Sequence, residues 1–338
     1  TENYLEITCF SKELEKTCVL IDNIERLLTS MMDDLNIRGS IYRADIREVS
    51  YLEFLGKLTA TQKTELITKV TDEILDLLSN EDLRAKLKDL ETVPFRVIPE
   101  EIVKEYIENS KLIDKMVSSG ILNRRFQIVC KRCHELPMDI PFAFKSADEA
   151  LRFIDEFDII CPRCGKKLDK ESINIVCYYH FTNLGRECVR GRWLEAFVRK
   201  TLVKLGVPET NIKTCVYYRA DEFDNVFIYR NHLVVCECKD KVVGRNDIYV
   251  LFMKAQRINA SIILVISTKP IPEDILKEIS YDKRRRRRRI IIPISGDAKT
   301  IASKLREELE TLEKEYKAYK VCLLYTSDAA DDGESVDL

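Results

Sequence analysis

The sequence predicts an α/β protein. A mixed sheet flanked by helices follows a helical N-terminal region, a winged-helix-like module and a cysteine-bound ribbon. Three observations predict this. In the second half of the chain, short β-branched runs alternate with stretches of helical period. Two C-x-x-C pairs stand mid-chain. Beyond them, two carboxylates and a lysine fall where a hairpin would bring them to one sheet face.

With 338 residues, the chain is long enough for two or three domains. Hydrophobic residues make up 45% and charged residues 33%, and the net charge is −2. Cores are therefore affordable, and a wholly basic nucleic-acid-coating protein is excluded. Any grip on phosphate must come from local patches. Only three glutamines occur (Gln62, Gln127, Gln256), a mild thermophile-like bias. No apolar run reaches the length of a membrane span, and no signal-peptide pattern is present. Twelve cysteines, four of them in C-x-x-C pairs, suit metal binding in a reducing compartment, so the expected location is cytoplasmic. Cys322–Asp331 resembles a translated sequencing adapter, so 321–338 is expected to be a non-native or disordered tail.

Residues 1–95 read as helices. Leu20, Ile24, Leu27 and Leu28 recur at helical spacing, as do Ile67, Val70, Ile74, Leu77 and Leu78. Cys9 and Cys18 read as core residues. Residues 96–129 change in character. A helix opens at Pro99 with acidic residues in its first turn, Asn109-Ser110 breaks it, and a second helix over 111–119 ends at Gly120. A strand over 121–129 follows, containing Asn123-Arg124-Arg125. Helix, turn, helix and strand resemble a small winged helix-turn-helix, a module that contacts DNA in some proteins and other proteins elsewhere.

Residues 130–188 carry Cys130-Lys-Arg-Cys133 and Cys161-Pro-Arg-Cys164-Gly165. Each pair follows a strand-like run, and a tight turn lets both sulfurs reach one ion. Two pairs complete a tetrahedral four-sulfur site suited to structural Zn²⁺. A closed site of this kind has no open position for catalysis. The insert between the pairs contains a helix over 147–157. His134 reads as a surface residue, and Cys177 and Cys188 as buried.

Residues 189–320 carry the chemistry. Gly191-Arg-Trp-Leu-Glu195 opens a helix with Leu194, Phe197, Val198, Leu202 and Leu205 on one face. Strands follow over 214–218, 226–228 and 233–238, with Arg230-Asn231 as a tight turn of undetermined type. A turn centred there pairs residues whose numbers sum to 461. Asp224 then faces Glu237, and Glu222 faces Lys239. Glu237 and Lys239, two apart, share a face that Asp224 joins across the ladder; Cys236 and Cys238 point the other way. Two such carboxylates repel unless one takes up a proton or a cation sits between them. A hard divalent cation prefers oxygen donors. A surface salt-bridge cluster is the competing reading of an isolated E-x-K.

Residues 191–292 resemble the PD-(D/E)xK nuclease superfamily, the restriction-endonuclease-like fold, and are similar to its Mrr and archaeal-type members. The resemblance rests on the order of elements: helix with Glu195, strand, strand with Asp224, strand with Glu237-Cys-Lys239, helix 247–258, strand 262–267. The opening Gly191 and Glu195 match G-x-x-x-E, while Phe223 stands where the family has proline. The resemblance implies a metal-dependent endonuclease acting on duplex DNA, with a homodimer as the assembly. It implies that Asp224 and Glu237 bind Mg²⁺ or Mn²⁺ with the carbonyl of Cys238, that Lys239 orients or deprotonates the attacking water, and that Glu195 tunes the metal site or holds a second ion. Gln256 would support the site or be a solvated helix residue, and Lys241 and Arg245 would hold phosphates or stand in a solvated loop. Two alternatives stay open: a zinc-ribbon, winged-helix DNA-binding protein with an inactive nuclease fold, and a junction- or RNA-cleaving enzyme. Arg284–Arg289 would sit in a loop as a backbone grip or a solvated run, before a strand over 290–292 and a charged helix over 298–320.

Overall fold

The computed structural model describes residues 51–93, 97–134, 144–230, 232–285 and 290–328. The helix expected around Leu20–Leu28, Cys9, Cys18, Asn231, Arg286–Arg289 and residues 329–338 lie outside them. The described residues form two compact units. One holds 51–67 and 194–328, and the other holds 68–193.

The first unit is built on a five-stranded mixed sheet, β4 (Ile212–Tyr218), β5 (Asp221–Tyr229), β6 (His232–Lys239), β7 (Ile262–Ser267) and β8 (Ile290–Ser295), hydrogen-bonded in that order. β4, β5 and β6 are antiparallel, joined by two-residue turns in which Arg219 and Arg230 have φ of 54° and 46°. A positive φ at the first turn position is what the right-handed twist of a tight hairpin requires. The expected register holds: Asn225 pairs with Cys236 and Tyr229 with His232. β6, β7 and β8 run parallel, so each connection must cross over. Arg245–Arg257 and Glu273–Arg285 supply those crossover helices. Arg284 and Arg285 therefore end a helix, rather than standing in a loop as expected.

All six residues of β7 are buried, as a strand covered on both faces requires. One face forms a core with Val226, Ile228, Leu233, Val235, Ile263, Val265 and Ile291, packed with Leu251, Ala255, Ile275 and Ile279 of the crossover helices. The last helix, Ala298–Asp328, lies against β8, with Ile301, Leu305, Leu309 and Leu312 buried at helical spacing. It runs past the expected end at Lys320.

The second unit begins with helices Asp72–Ser79 and Glu81–Thr92, capped by Thr71 and Asn80. The helical period seen over 67–78 is interrupted, because one helix ends at Thr68 and Thr71 caps the next. Helices Glu100–Tyr106 and Ser110–Ser118 follow, and Gly120 (φ 81°) ends the second with Ile121 N–H donating to the Met116 carbonyl. β2 (Leu122–Cys130) pairs antiparallel with β3 (Ile173–Phe181) over nine residue pairs, and β1 (Ile98–Pro99) adds to the far side of β3. The strand of the winged-helix-like segment and the strand after the second cysteine pair thus share one sheet.

After β3 the chain turns through Asn183–Glu187 into helix Trp193–Lys204, joined by a π turn that kinks at Gly191 (φ 115°). The helix expected to start at Gly191 therefore has its kink there. On it, Leu194, Val198 and Leu202 are buried as expected, while Phe197 and, just past its end, Leu205 are half-buried. Gly185 is set against the Ile121 backbone so closely that a Cβ would lie 2.1 Å from its carbonyl oxygen. Only glycine fits there.

Candidate active site and candidate metal centre

The two C-x-x-C turns are built alike. His134 N–H donates to the Cys130 carbonyl and Gly165 N–H to the Cys161 carbonyl, each at 2.9 Å. Both donors have a left-handed backbone, φ 52° and 68°. His134 is exposed, as expected, and does in the first turn what Gly165 does in the second. All four sulfurs lie within 4.8 Å of one another, with Cys130–Cys164 at 3.7 Å and Cys133–Cys161 at 3.5 Å. A zinc ion with sulfur ligands at about 2.3 Å in a tetrahedron would separate them by about 3.8 Å.

Backbone N–H groups aim at the first sulfur of each pair. The amide of Cys164, and then that of Arg163, draws the Cys161 thiol down to about 6 against the effect of burial. The Cys133 and Arg132 amides lower Cys130 likewise. Burial, reinforced by the neighbouring sulfurs, pushes Cys133 up to about 12. Thiols this close cannot all ionise without a cation among them. The set therefore fits Zn²⁺ held by Cys130, Cys133, Cys161 and Cys164. Ile128, Phe144, Ala150, Ile154, Leu168 and Ile173 pack around it. Of the outlying cysteines, Cys188 is buried as expected, but Cys177 is only half-buried.

In the first unit, Glu195 stands in the first turn of its helix and is buried. Buried Asn225 ties that helix to β5: its Nδ2 donates to the Glu195 carbonyl at 3.2 Å, and its Oδ1 accepts from Thr214 at 2.7 Å. The Glu195 carboxylate accepts from the Cys215 thiol at 2.5 Å. Cys215 has φ 50°, and the pairing of β4 with β5 skips it opposite Asp224. Its carbonyl turns instead to Thr64 Oγ1, which donates at 2.7 Å. A non-glycine residue in this region stores strain that its surroundings must hold.

The pairing of β5 with β6 stops at Asn225–Cys236, and Asp224 uses the gap. Its Oδ2 accepts from the Cys238 backbone N–H at 2.8 Å. Burial pushes the Asp224 carboxyl well above the carboxylate range, and Glu195 and then Glu237 push it further, against the Cys238 N–H and Lys239. Asp224 is thus a buried carboxyl short of compensating positive charge.

Glu237 differs. Its Oε1 accepts from Lys239 Nζ at 2.6 Å and its Oε2 from Lys254 Nζ at 3.4 Å. Burial alone would lower the Lys239 ammonium, but Glu237, Asp224 and Asp247 outweigh it and raise the pKa. The structure therefore brings Glu195, Asp224, Glu237 and Lys239 into one electrostatic neighbourhood, with Cys238 between Glu237 and Lys239 in the chain. Among the described residues, only the cysteine set gathers three or more ligand atoms within 4.8 Å of one another. Each of the three carboxylates is engaged by a donor of the protein itself.

Other expected residues stand apart from this cluster. Glu222 pairs with Tyr217 of β4 and is bound by Tyr217 Oη (2.9 Å) and Lys63 Nζ (3.3 Å), not set opposite Lys239. The alignment fails because β5 leaves β6 before reaching it. Gln256 is exposed, because Leu251 and Ala255 turn the inner face of that helix to the core and Lys254 shares their side. Arg245 is held by Asp274 at 2.9 Å and Glu278 at 3.7 Å, and Lys241 is exposed. Sequence reasoning missed Lys254, Cys215 and Thr64. Lys254 carried a faint signal, a lone lysine between two core positions. A strained cysteine backbone leaves no mark in sequence.

No protein-family model and no curated protein matches the chain. Among solved structures it aligns with protein VC1899 from Vibrio cholerae at 14% identity and a TM-score of 0.41, over 80% of this chain. It also aligns with Can2 from Sulfobacillus thermosulfidooxidans, solved in complex with cyclic tetra-adenylate, at 13% identity and a TM-score of 0.36, over 77% of this chain. The chain spans 61% of the length of each of these proteins. No described helix is long and apolar enough to cross a membrane. The described chain is a mixed α/β protein with a four-cysteine cluster that could hold a metal ion.

Proposed function

We propose that the unit holding residues 194–328 is a restriction-endonuclease-like, divalent-metal-dependent nuclease that hydrolyses phosphodiester bonds in duplex DNA. The observation that carries this reading is the buried Asp224 carboxyl, left electrostatically uncompensated beside Glu195 and Glu237. A hard cation would relieve that charge. Asp224 and Glu237, with the carbonyl of Cys238, would hold Mg²⁺ or Mn²⁺. When bound, such a cation acidifies water and offsets the charge developing on phosphorus. Lys239 Nζ would hold the attacking water and the phosphate oxygen beside it. The water oxygen bonds to phosphorus, one ester P–O bond breaks, and the departing oxygen takes up a proton. Glu195, joined to Cys215, would fix the position of Asp224 and tune its charge. The cysteine cluster would be structural, and the winged-helix-like segment would position DNA.

The test is plasmid digestion with Mg²⁺ or Mn²⁺, wild type against Asp224→Ala, Glu237→Ala and Lys239→Ala. Each variant should lose at least about 100-fold in rate while remaining folded. Undiminished cleavage in all three would exclude the assigned site. Parallel arms with a four-way junction, single-stranded DNA and RNA fix the substrate. One observation favours a second reading, a DNA-binding protein with an inactive nuclease fold: Glu237 is already balanced by two ammonium groups. Tight duplex binding without cleavage in either metal would establish it.

A further inference from the structure

Lys254 is a charged residue in an unusual place. It projects from the inner side of helix Arg245–Arg257, between Leu251 and Ala255, and its side chain is 14% exposed. Its ammonium lies 3.4 Å from Glu237 Oε2 and 6.0 Å from the centre of the Phe223 ring, the residue before Asp224. Burying an ammonium is costly unless it is paired, so a lysine here needs the carboxylate it meets. Lys239 holds the other oxygen of the same carboxylate. Glu237 therefore has two cations at hand, while Asp224 meets a backbone N–H and Glu195 a thiol.

We propose that Lys254 is a positioning residue that holds Glu237 and competes with the divalent cation for it. The inference rests on the nuclease reading of this site. Without a cation, Lys254 neutralises Glu237 and fixes its rotamer. A cation bound to Glu237 and Asp224 takes over that neutralisation, and the released ammonium adds to the positive charge available to a phosphate. Two like charges near one carboxylate repel strongly in a buried site. Lys254 must therefore weaken cation binding in the absence of substrate.

The test titrates the full-length, zinc-loaded protein with Mn²⁺ and follows free Mn²⁺ by electron paramagnetic resonance. Lys254→Met should tighten Mn²⁺ binding at least about fivefold while slowing plasmid cleavage. Lys254→Arg, which restores the charge, should return the affinity towards wild type. Thermal melts with and without Mn²⁺ verify folding, and the Mn²⁺-induced rise should be larger in Lys254→Met. Unchanged or weaker Mn²⁺ binding by a folded Lys254→Met, with wild type still binding and cleaving, overturns the inference alone. Absence of Mn²⁺ binding in both proteins overturns the nuclease reading and the inference with it.

Discussion

Replacing Asp224 with asparagine should make the cation-free protein more stable, and the gain should depend on pH. Asp224 is 8% exposed and lies close enough to Glu195 and Glu237 for both to raise its pKa. Its folded-state pKa is thus well above that of the unfolded chain, near 3.9. The folded protein holds this proton more tightly, so the group favours folding fully below the unfolded value. That contribution is lost as pH rises through the folded value. At neutral pH the wild-type protein carries either a buried anion beside two others or an unusually retained proton.

Asparagine removes that burden and keeps the geometry. Its Oδ1 can accept from the Cys238 N–H that Asp224 now engages at 2.8 Å, and its amide can donate to a neighbouring carboxylate. Relief of a strained functional site commonly amounts to about 1–2 kcal/mol, a rise in melting temperature of roughly 2–8 °C for a unit of this size. The assay is differential scanning fluorimetry in buffer freed of magnesium and manganese, at pH 5 and pH 8. The variant should melt above wild type at pH 8, with a smaller difference at pH 5, and should lose cleavage. A variant that melts below wild type at pH 8, or shows the same difference at both values, would refute the charge argument.

Zinc analysis should find one ion per chain. Cys161→Ser should weaken its binding by more than about 100-fold and loosen the small core around Ile128, Phe144 and Ile154, read by metal analysis and hydrogen exchange over 122–181. Full zinc occupancy in that variant would remove Cys161 from the ligand set. Gly185→Ala should cost about 3 kcal/mol, because the new methyl meets backbone at 2.1 Å instead of a side chain that could move. Urea denaturation measures it, and a loss under about 1 kcal/mol would mean that the Ile121 backbone yields to the new methyl.

Patterns that depend on neighbours in the chain were legible in the sequence. The C-x-x-C pairs announced themselves because two thiolates on one turn have few other uses. β7 was evident from the apolar, largely β-branched run Ile262–Ile266, and the helix end at Gly120 from glycine's freedom to adopt a left-handed backbone. The register of β5 on β6 followed from a two-residue turn, since a fixed turn fixes every opposed pair. That logic failed where the ladder stopped: nothing local says that β5 leaves β6 at Asn225, so Glu222 was set opposite Lys239 when it belongs with Tyr217 and Lys63.

The sequence by itself determined the order of helices and strands, the cysteine quartet, and which acidic and basic residues would share a strand. These follow from spacing and from the preferences of adjacent residues. Tertiary structure decided the rest. It put Lys254 rather than Gln256 against Glu237, bent Cys215 to meet Glu195, and left Asp224 short of positive charge while Glu237 has two ammonium groups. Such arrangements depend on which helix face the core consumes and where a ladder ends, and both are set by contacts between residues far apart in the chain.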